Sequence, residues 1–188
     1  MEDLKGEFTT LIPLADTLAL LRQMPASLDA LLRPLPLAWI EHSEGGASWT
    51  PRQVIAHLVD NEHTNWLVRA RLIRESDEVR AFPAVVRSAG RAEEKVRPLG
   101  ELLDAFRAIR EANLAEVEGW HLTRADLEGQ AIHPVFGVVT LGQLLATWAT
   151  HDLTHLHQIA RALADRQREA VGPWIRYLGV LHCDGHGE

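Results

Sequence analysis

The segment from Trp148 to Gln158, WATHDLTHLHQ, places three histidines and an aspartate within an otherwise ordinary amphipathic pattern. His151 and His155 are four positions apart, so on an α-helix they share a face, with Cβ atoms about 6 Å apart. Neutral imidazoles bind Zn, Ni, Cu or Fe. The spacing therefore predicts a helix that offers two ligands to one divalent metal, although histidines at the edge of an apolar arc also occur as plain rim residues.

A second amphipathic segment supplies a candidate third ligand. His57 lies at the margin of its apolar arc, and Asn61 and Asn65 follow at i+4 and i+8. If the two helices meet with a suitable stagger, three imidazoles leave one position of a tetrahedral site open, as in catalytic zinc sites. A cation bound there would lower the pKa of a water or a thiol in that position.

The other histidines are assigned elsewhere. Four are expected on the surface or in loops: His63, His121, His133 and His157. The tail HCDGHGE holds His182, Cys183 and His186, which have the chemistry to bind a metal, but a mobile terminus is the favoured interpretation.

Three charged residues interrupt the apolar arcs. Asp152 lies among Trp148, His155 and Ile159, while Glu62 and Arg69 lie within the arc of the second helix. An unpaired buried charge is costly, so we expect Asp152 or Glu62 to pair with Arg69. Two alternatives stay open: a carboxylate that accepts the N–H of a ligating imidazole, and a direct role in proton transfer.

Two T-x-x-Q motifs mark the starts of the helices that carry these residues. Thr50, Pro51 and Gln53 form the pattern of a capping box with proline at N1, and a helix is predicted from there to about Arg74. Thr140 and Gln143 repeat the pattern at the start of a helix predicted to reach about Arg168.

The remaining chain predicts an all-α protein. A first helix is expected over 11–33, broken or restarted near Pro25, and a third over 99–117; VGPWIRYLGVL is predicted to form a short terminal helix. The long connections 76–98 and 121–139 hold no sustained helical period, and loops of that length tend to be functional. We predict a four-helix bundle, most simply up-down-up-down, with long connections and a short C-terminal helix.

Composition narrows the function classes. The 188 residues carry a net charge of -7 and a single cysteine, which suits one domain over 1–180, a polar tail over 181–188 and a reducing cytoplasm. The sequence has no Lys/Arg cluster of the kind that binds nucleic acid, so a nucleic-acid partner is not expected. No apolar run approaches the roughly 20 residues of a membrane span, and no signal-peptide h-region is evident.

Two segments, WTPRQVIAHLVDNEHTNWLVRARLI and GVVTLGQLLATWATHDLTHLHQIARAL, resemble the diagnostic segments of the DinB-like (YfiT-like) superfamily of metal-dependent enzymes, and VGPWIRYL resembles that family's tail. The resemblance spans roughly residues 15–180. It implies a four-helix bundle, often a homodimer, with one divalent metal per chain held by three histidines. The family's ligands fall on His57, His151 and His155.

The resemblance also implies chemistry. Known activities in the family are mostly transfers of low-molecular-weight thiols such as bacillithiol, mycothiol or glutathione, so a thiol transferase acting on a small-molecule substrate is the favoured function. Zn or Ni is the expected metal, with Fe or Mn as alternatives. A hydrolase that uses metal-bound hydroxide and a non-catalytic, stress-related metal-binding dimer remain alternatives, and no catalytic residue is assigned.

Overall fold

The computed structural model describes residues 13–76, 78–83 and 97–182. The long helices in these residues are α1 (Leu14–Leu32), α3 (Pro51–Thr64) followed by α4 (Trp66–Arg74), α5 (Leu99–Gly119) and α7 (Leu141–Asp165). Shorter helices are α2 (Leu37–Ile40), α6 (Arg124–Leu127) and two 3-10 helices, Gly172–Tyr177 and Gly179–Leu181. The predicted four-helix bundle is confirmed. None of the described helices is long and apolar enough to cross a membrane.

The ion pairs between helices fix the direction of α1 relative to α5. Arg22, in the first half of α1, pairs with Glu118 near the end of α5. Arg33, directly after α1, pairs with Asp104 near the start of α5 at 2.6 Å. The two helices are therefore antiparallel.

The contacts of α5 with α3 and α4 run the other way. Glu62 of α3 bonds Arg110 of α5 at 2.8 Å, and Arg71 of α4 bonds Glu116 farther along α5 at 2.5 Å. These helices are therefore parallel, whereas α3 and α7 are antiparallel. The order is up-down-down-up, which differs from the alternating order predicted as the simplest.

The alternating order fails because it assumes that each connection turns back on itself. Phe82 belongs to the apolar cluster at one end of the bundle, whereas Leu99 belongs to the cluster at the other end. An extended chain advances about 3.3 Å per residue, against about 1.5 Å in a helix. The connection between them is thus long enough to return along a whole helix.

Both predicted capping boxes are present. The Thr50 hydroxyl accepts a hydrogen bond from the Gln53 backbone N–H, and the Gln53 side chain accepts one from the Thr50 N–H. Thr140 and Gln143 form the same pair at the start of α7. The second predicted helix is interrupted at Asn65, which separates α3 from α4.

The predicted break at Pro25 does not occur, because α1 continues through it. A proline has no N–H to donate to the carbonyl four residues earlier. That carbonyl belongs to Leu21, and it accepts a hydrogen bond of 2.9 Å from the buried Arg110 side chain instead. A partner on another helix therefore satisfies the group that the proline leaves unbonded.

The second long connection has structure that helical periodicity did not indicate. Strand β2 (Gln130–His133) pairs antiparallel with β3 (Gly137–Thr140) and parallel with the short β1 (Arg80–Ala81). The first long connection, predicted over 76–98, lies partly outside the described residues. The predicted terminal helix is 3-10 in form, and α7 ends at Asp165 rather than near Arg168.

Two apolar clusters fill the ends of the bundle. One surrounds Trp66, Phe82 and Trp148, and the other surrounds Leu28 and Phe106. The long helices bring buried polar side chains to the level between them: His57, Asn61, Glu62, Arg110, Asn113, Asp152 and His155. The middle of the bundle is therefore where chemistry is possible.

Candidate metal centre

The three predicted histidines converge. One ring nitrogen from each of His57, His151 and His155 lies within 4.8 Å of the others. The Nε2 atoms of His151 and His155 are 3.1 Å apart, and the His57 ring centroid is 4.7 Å from that of His155. His57 and His155 are buried, and His151 is half-buried.

This geometry fits a divalent metal. Metal–nitrogen distances of about 2.0–2.1 Å and tetrahedral angles place two ligand nitrogens about 3.4 Å apart. The separation of 3.1 Å between the Nε2 atoms of His151 and His155 is close to that value. Three neutral imidazoles carry no charge of their own, so a dication would be the principal charge in the site.

Neighbouring amides orient two of the rings. The Gln158 Oε1 atom lies 2.9 Å from Nδ1 of His155. Because a carbonyl oxygen only accepts, Nδ1 carries the proton and Nε2 keeps a lone pair that faces His151. Metal-ligating imidazoles usually have such an outer partner. On α3, the amide nitrogen of Asn61 donates to the His57 carbonyl at 2.9 Å and lies 2.9 Å from Nε2 and 3.3 Å from Nδ1 of the His57 ring. Asn65 donates to Asn61 at 3.1 Å.

Two tryptophans border the cluster. Trp49, just before α3, lies 4.8 Å from the His57 ring and stacks 6.2 Å from the His155 ring. Trp66, at the start of α4, meets His151 edge to face at 4.9 Å. These rings give the imidazoles an apolar border that excludes water from part of their surroundings.

The charged residues of the arcs are paired, but the predicted partner was wrong. Arg110 of α5 bonds Asp152 at 2.7 Å and Glu62 at 2.8 Å, and the three side chains are each 1% exposed. Asn113 and the Trp148 indole N–H complete the hydrogen bonds of Glu62, at 2.9 Å and 2.8 Å. We call Glu62, Arg110 and Asp152 the buried ionic triad.

The triad holds two carboxylates against one guanidinium. Burial raises the pKa of Asp152 to about 6, while the attraction of Arg110 works in the opposite direction. Burial acts to lower the pKa of Arg110, but the charges of Glu62 and Asp152 outweigh it and the pKa is raised. Structural pairing, the first of the three predicted roles, therefore accounts for the contacts of Glu62 and Asp152.

The predicted partner of these carboxylates, Arg69, lies elsewhere. Arg69 is a residue of α4, and its guanidinium carbon lies 4.8 Å from the centre of the Phe82 ring. It makes no ion pair within the described residues, although it is only 8% exposed. Burial lowers its pKa.

Of the other histidines considered in the sequence analysis, those within the described residues are not part of the cluster. His63 and His121 are exposed, and His133 and His157 are half-buried. His182 Nε2 lies 2.7 Å from the Ile175 carbonyl, and Cys183 and His186 lie outside the described residues.

Sequence reasoning missed Arg110, Gln158 and Trp49. Arg110 and Asn113 occupy core positions in the helical period of α5, between Phe106 and Leu114. A charged residue in that arc was the available signal. Trp49 precedes the helix cap, where no periodicity points inward.

The fold and the histidine cluster together define a class, that of four-helix bundles with a candidate metal site between facing helices. The family model for the DinB superfamily matches residues 20–159, and the chain belongs to that superfamily. No curated protein matches the sequence.

Two solved structures are similar. YfiT from Bacillus subtilis, described as a probable metal-dependent hydrolase with an unusual four-helix bundle topology, shares 18% identity and has a TM-score of 0.69, over 90% of this chain and 94% of that chain. TT2238, described as a four-helix bundle protein, shares 26% identity with a TM-score of 0.47, over 76% and 94% of the two chains. The first likeness supports the fold.

Proposed function

We propose that the protein is a metal-dependent enzyme that holds one divalent metal on His57, His151 and His155 and transfers a small thiol to an electrophile. The observation that carries the proposal is the convergence of three imidazole nitrogens within 4.8 Å from two helices. A metal held there supplies a Lewis acid with a position left open for a small nucleophile.

Acidity favours a thiol over water as that nucleophile. The described side chains against the histidines include those of Trp49, Asn61, Trp66 and Gln158. The nearby carboxylates of the triad are bonded to Arg110. A thiol has a pKa of about 8.5, against about 15.7 for water, so it ionises at a metal without help from a base.

The chain's own residues have separable tasks in this proposal. Gln158 fixes the protonated nitrogen of His155 and keeps Nε2 available. Asn61 and Asn65 provide amide groups beside His57, where they can orient a polar substrate. Trp49 and Trp66 limit access of water to the reacting thiol.

Metal content of the full chain tests the site. The wild type should hold about one Zn or Ni per chain, and His57→Ala should hold almost none, because a two-histidine site on one helix binds weakly. His63→Ala, on the exposed side of the same helix, is the matched control and should keep its metal. Absence of metal from the wild type after loading would end the proposal.

Activity tests the reaction. The metal-loaded protein is given 1-chloro-2,4-dinitrobenzene with a panel of low-molecular-weight thiols, and thioether formation is measured. His155→Ala should abolish the enzymatic rate, whereas His157→Ala, two positions away, should retain it. Full activity in His155→Ala would refute the assignment.

Hydrolysis is the second candidate, because the similar YfiT structure is described as that of a probable metal-dependent hydrolase. Turnover of ester or amide substrates in the absence of any thiol would favour it. Homodimer formation, expected from the resemblance, is part of the proposal and is measured by sedimentation.

A further inference from the structure

Arg69 is a buried cation with no counter-ion among the described residues. The residue is 8% exposed, and its Nε atom is fully buried without a hydrogen-bond partner. The two terminal nitrogens are not among the fully buried unpartnered atoms, so they retain access to a ligand. Arg110 also has a buried Nε atom without a partner, but its terminal nitrogens bind two carboxylates and a carbonyl, whereas no described carboxylate pairs with Arg69.

Arg69 lies on the same buried stripe as His57. His57, Asn61, Asn65 and Arg69 recur every four residues along α3 and α4, and all four are buried. Each step along such a stripe is about 6 Å. The guanidinium carbon of Arg69 lies 4.8 Å from the centre of the Phe82 ring, and side chains on a helix lean toward its N-terminus, which is the side of Asn65. Trp66, one turn before Arg69, contacts His151.

A second unpartnered group lies beside it. The Asn65 side-chain oxygen is buried and has no hydrogen-bond partner among the described residues. The stripe therefore presents an unpaired cation and an unpaired acceptor one helical turn apart. A buried polar group without a partner is uncommon in a folded protein and calls for a ligand or water.

We propose that Arg69 binds a carboxylate of the substrate whose thiol occupies the metal centre, with Asn65 accepting a hydrogen bond from a neighbouring N–H or O–H group of the same molecule. The inference rests on the proposed function and specifies its substrate as an acidic thiol. The Arg69 guanidinium offers one positive charge. It lies beside His133, and the pKa of His133 is lowered by burial and by the charge of Arg69. That charge matches a carboxylate better than a phosphate dianion, and a guanidinium edge fits a carboxylate through two parallel hydrogen bonds.

The test compares two thiols that differ in their carboxylates. Mercaptosuccinate and 2-mercaptoethanol are titrated into the cobalt-loaded full chain, and binding is read from the thiolate-to-cobalt charge-transfer absorption. The wild type should prefer mercaptosuccinate by about tenfold or more, as expected for a charge-assisted hydrogen bond. Arg69→Gln should remove the preference. Arg71→Gln, on the exposed side of α4, should keep it.

The Arg69→Gln variant should fold, because Arg69 has no described carboxylate partner that the substitution would leave unpaired. Arg69→Met serves as a second variant. Circular dichroism checks that both are folded. An unchanged preference in Arg69→Gln, or no preference in the wild type, would overturn the inference.

Failure of the thiol proposal is recognised separately. If neither thiol gives a charge-transfer band, the proposed function fails, and succinate titrated calorimetrically into the metal-free full chain then judges Arg69 alone. Binding that weakens about tenfold in Arg69→Gln supports the carboxylate site. Equal binding in the two proteins, or none in either, overturns it.

Discussion

Two polar clusters lie side by side in the bundle, and helices α3 and α7 contribute to both. The buried ionic triad places Glu62 and Asp152 on Arg110, with each side chain 1% exposed and bonded within the protein. The histidine cluster brings one ring nitrogen from each of His57, His151 and His155 within 4.8 Å of the others. In the triad the protein supplies its own cation, whereas in the histidine cluster we propose that a metal ion supplies it.

The difference shows how a polar residue in an apolar arc can be assigned a role. A buried group whose partners lie on other helices ties the bundle together, and its loss leaves the partners uncompensated. An imidazole that lies among other imidazoles is suited to bind a ligand when an amide fixes its second ring nitrogen. His155 is such a group, because Gln158 fixes its Nδ1. Arg69 is a third case, because it is buried and no described carboxylate balances it.

The largest expected effect is on the triad. Arg110→Met should lower the free energy of unfolding by about 3–5 kcal/mol, because it leaves two buried carboxylates without their cation. Urea denaturation measures the loss. Arg107→Met, on the exposed side of the same helix, should change stability by less than about 0.5 kcal/mol. A loss below about 1 kcal/mol in Arg110→Met would remove the structural distinction between the clusters.

The histidine cluster should respond to metal instead. Zinc at about 100 times its dissociation constant should raise the unfolding free energy of the wild type by about 2.7 kcal/mol. His57→Ala should gain almost nothing. Arg110→Met, where it folds, should gain nearly the same increment as the wild type, and a missing increment there would mean that the two clusters act as one unit.

The amide behind His155 should matter to an intermediate degree. Gln158→Leu should weaken zinc binding by about 10–100-fold, because the outer partner of the imidazole is lost. Gln158→Glu retains an acceptor and should keep most of the affinity, as measured by competition with a chelator. Equal affinities in Gln158→Leu and the wild type would show that the contact does not orient the ring.

The smallest expected effect is that of the α3 cap, which should contribute to stability but not to zinc affinity. Thr50→Ala removes the cap of α3 and should lower stability by about 1 kcal/mol, while zinc affinity stays within about twofold of the wild type. Thermal unfolding and zinc titration check both values. A large fall in affinity would show that His57 depends on the cap for its position.

Local patterns predicted much of the structure. The capping boxes at Thr50 and Thr140 start the correct helices, because the motif uses hydrogen bonds within four residues of chain. The i, i+4 spacing places His151 and His155 on one face, because a helix turns by a fixed angle per residue. All four bundle segments, and the choice of His57, His151 and His155 as candidate ligands, follow from such patterns together with the family resemblance.

Long-range choices could not be found in the same way. The parallel direction of α5 beside α3 depends on contacts between residues far apart in the chain, such as Glu62 with Arg110, and no local pattern encodes them. The pairing of Asp152 and Glu62 with Arg110 rather than Arg69 depends on which helix lies opposite. The continuity of α1 through Pro25 depends on an arginine of α5 that bonds the Leu21 carbonyl.

The order of residues was enough to predict the main helices, the caps at Thr50 and Thr140 and the side chains that share a helix face, since these depend on short-range geometry and hydrogen bonding. Which faces meet depends on how the helices pack. That packing brought His57 to His151 and His155, paired the buried carboxylates with Arg110 and left Arg69 without a described counter-ion. The physical reason is that burial, charge pairing and metal geometry depend on neighbours in space, which only the packing of the helices supplies.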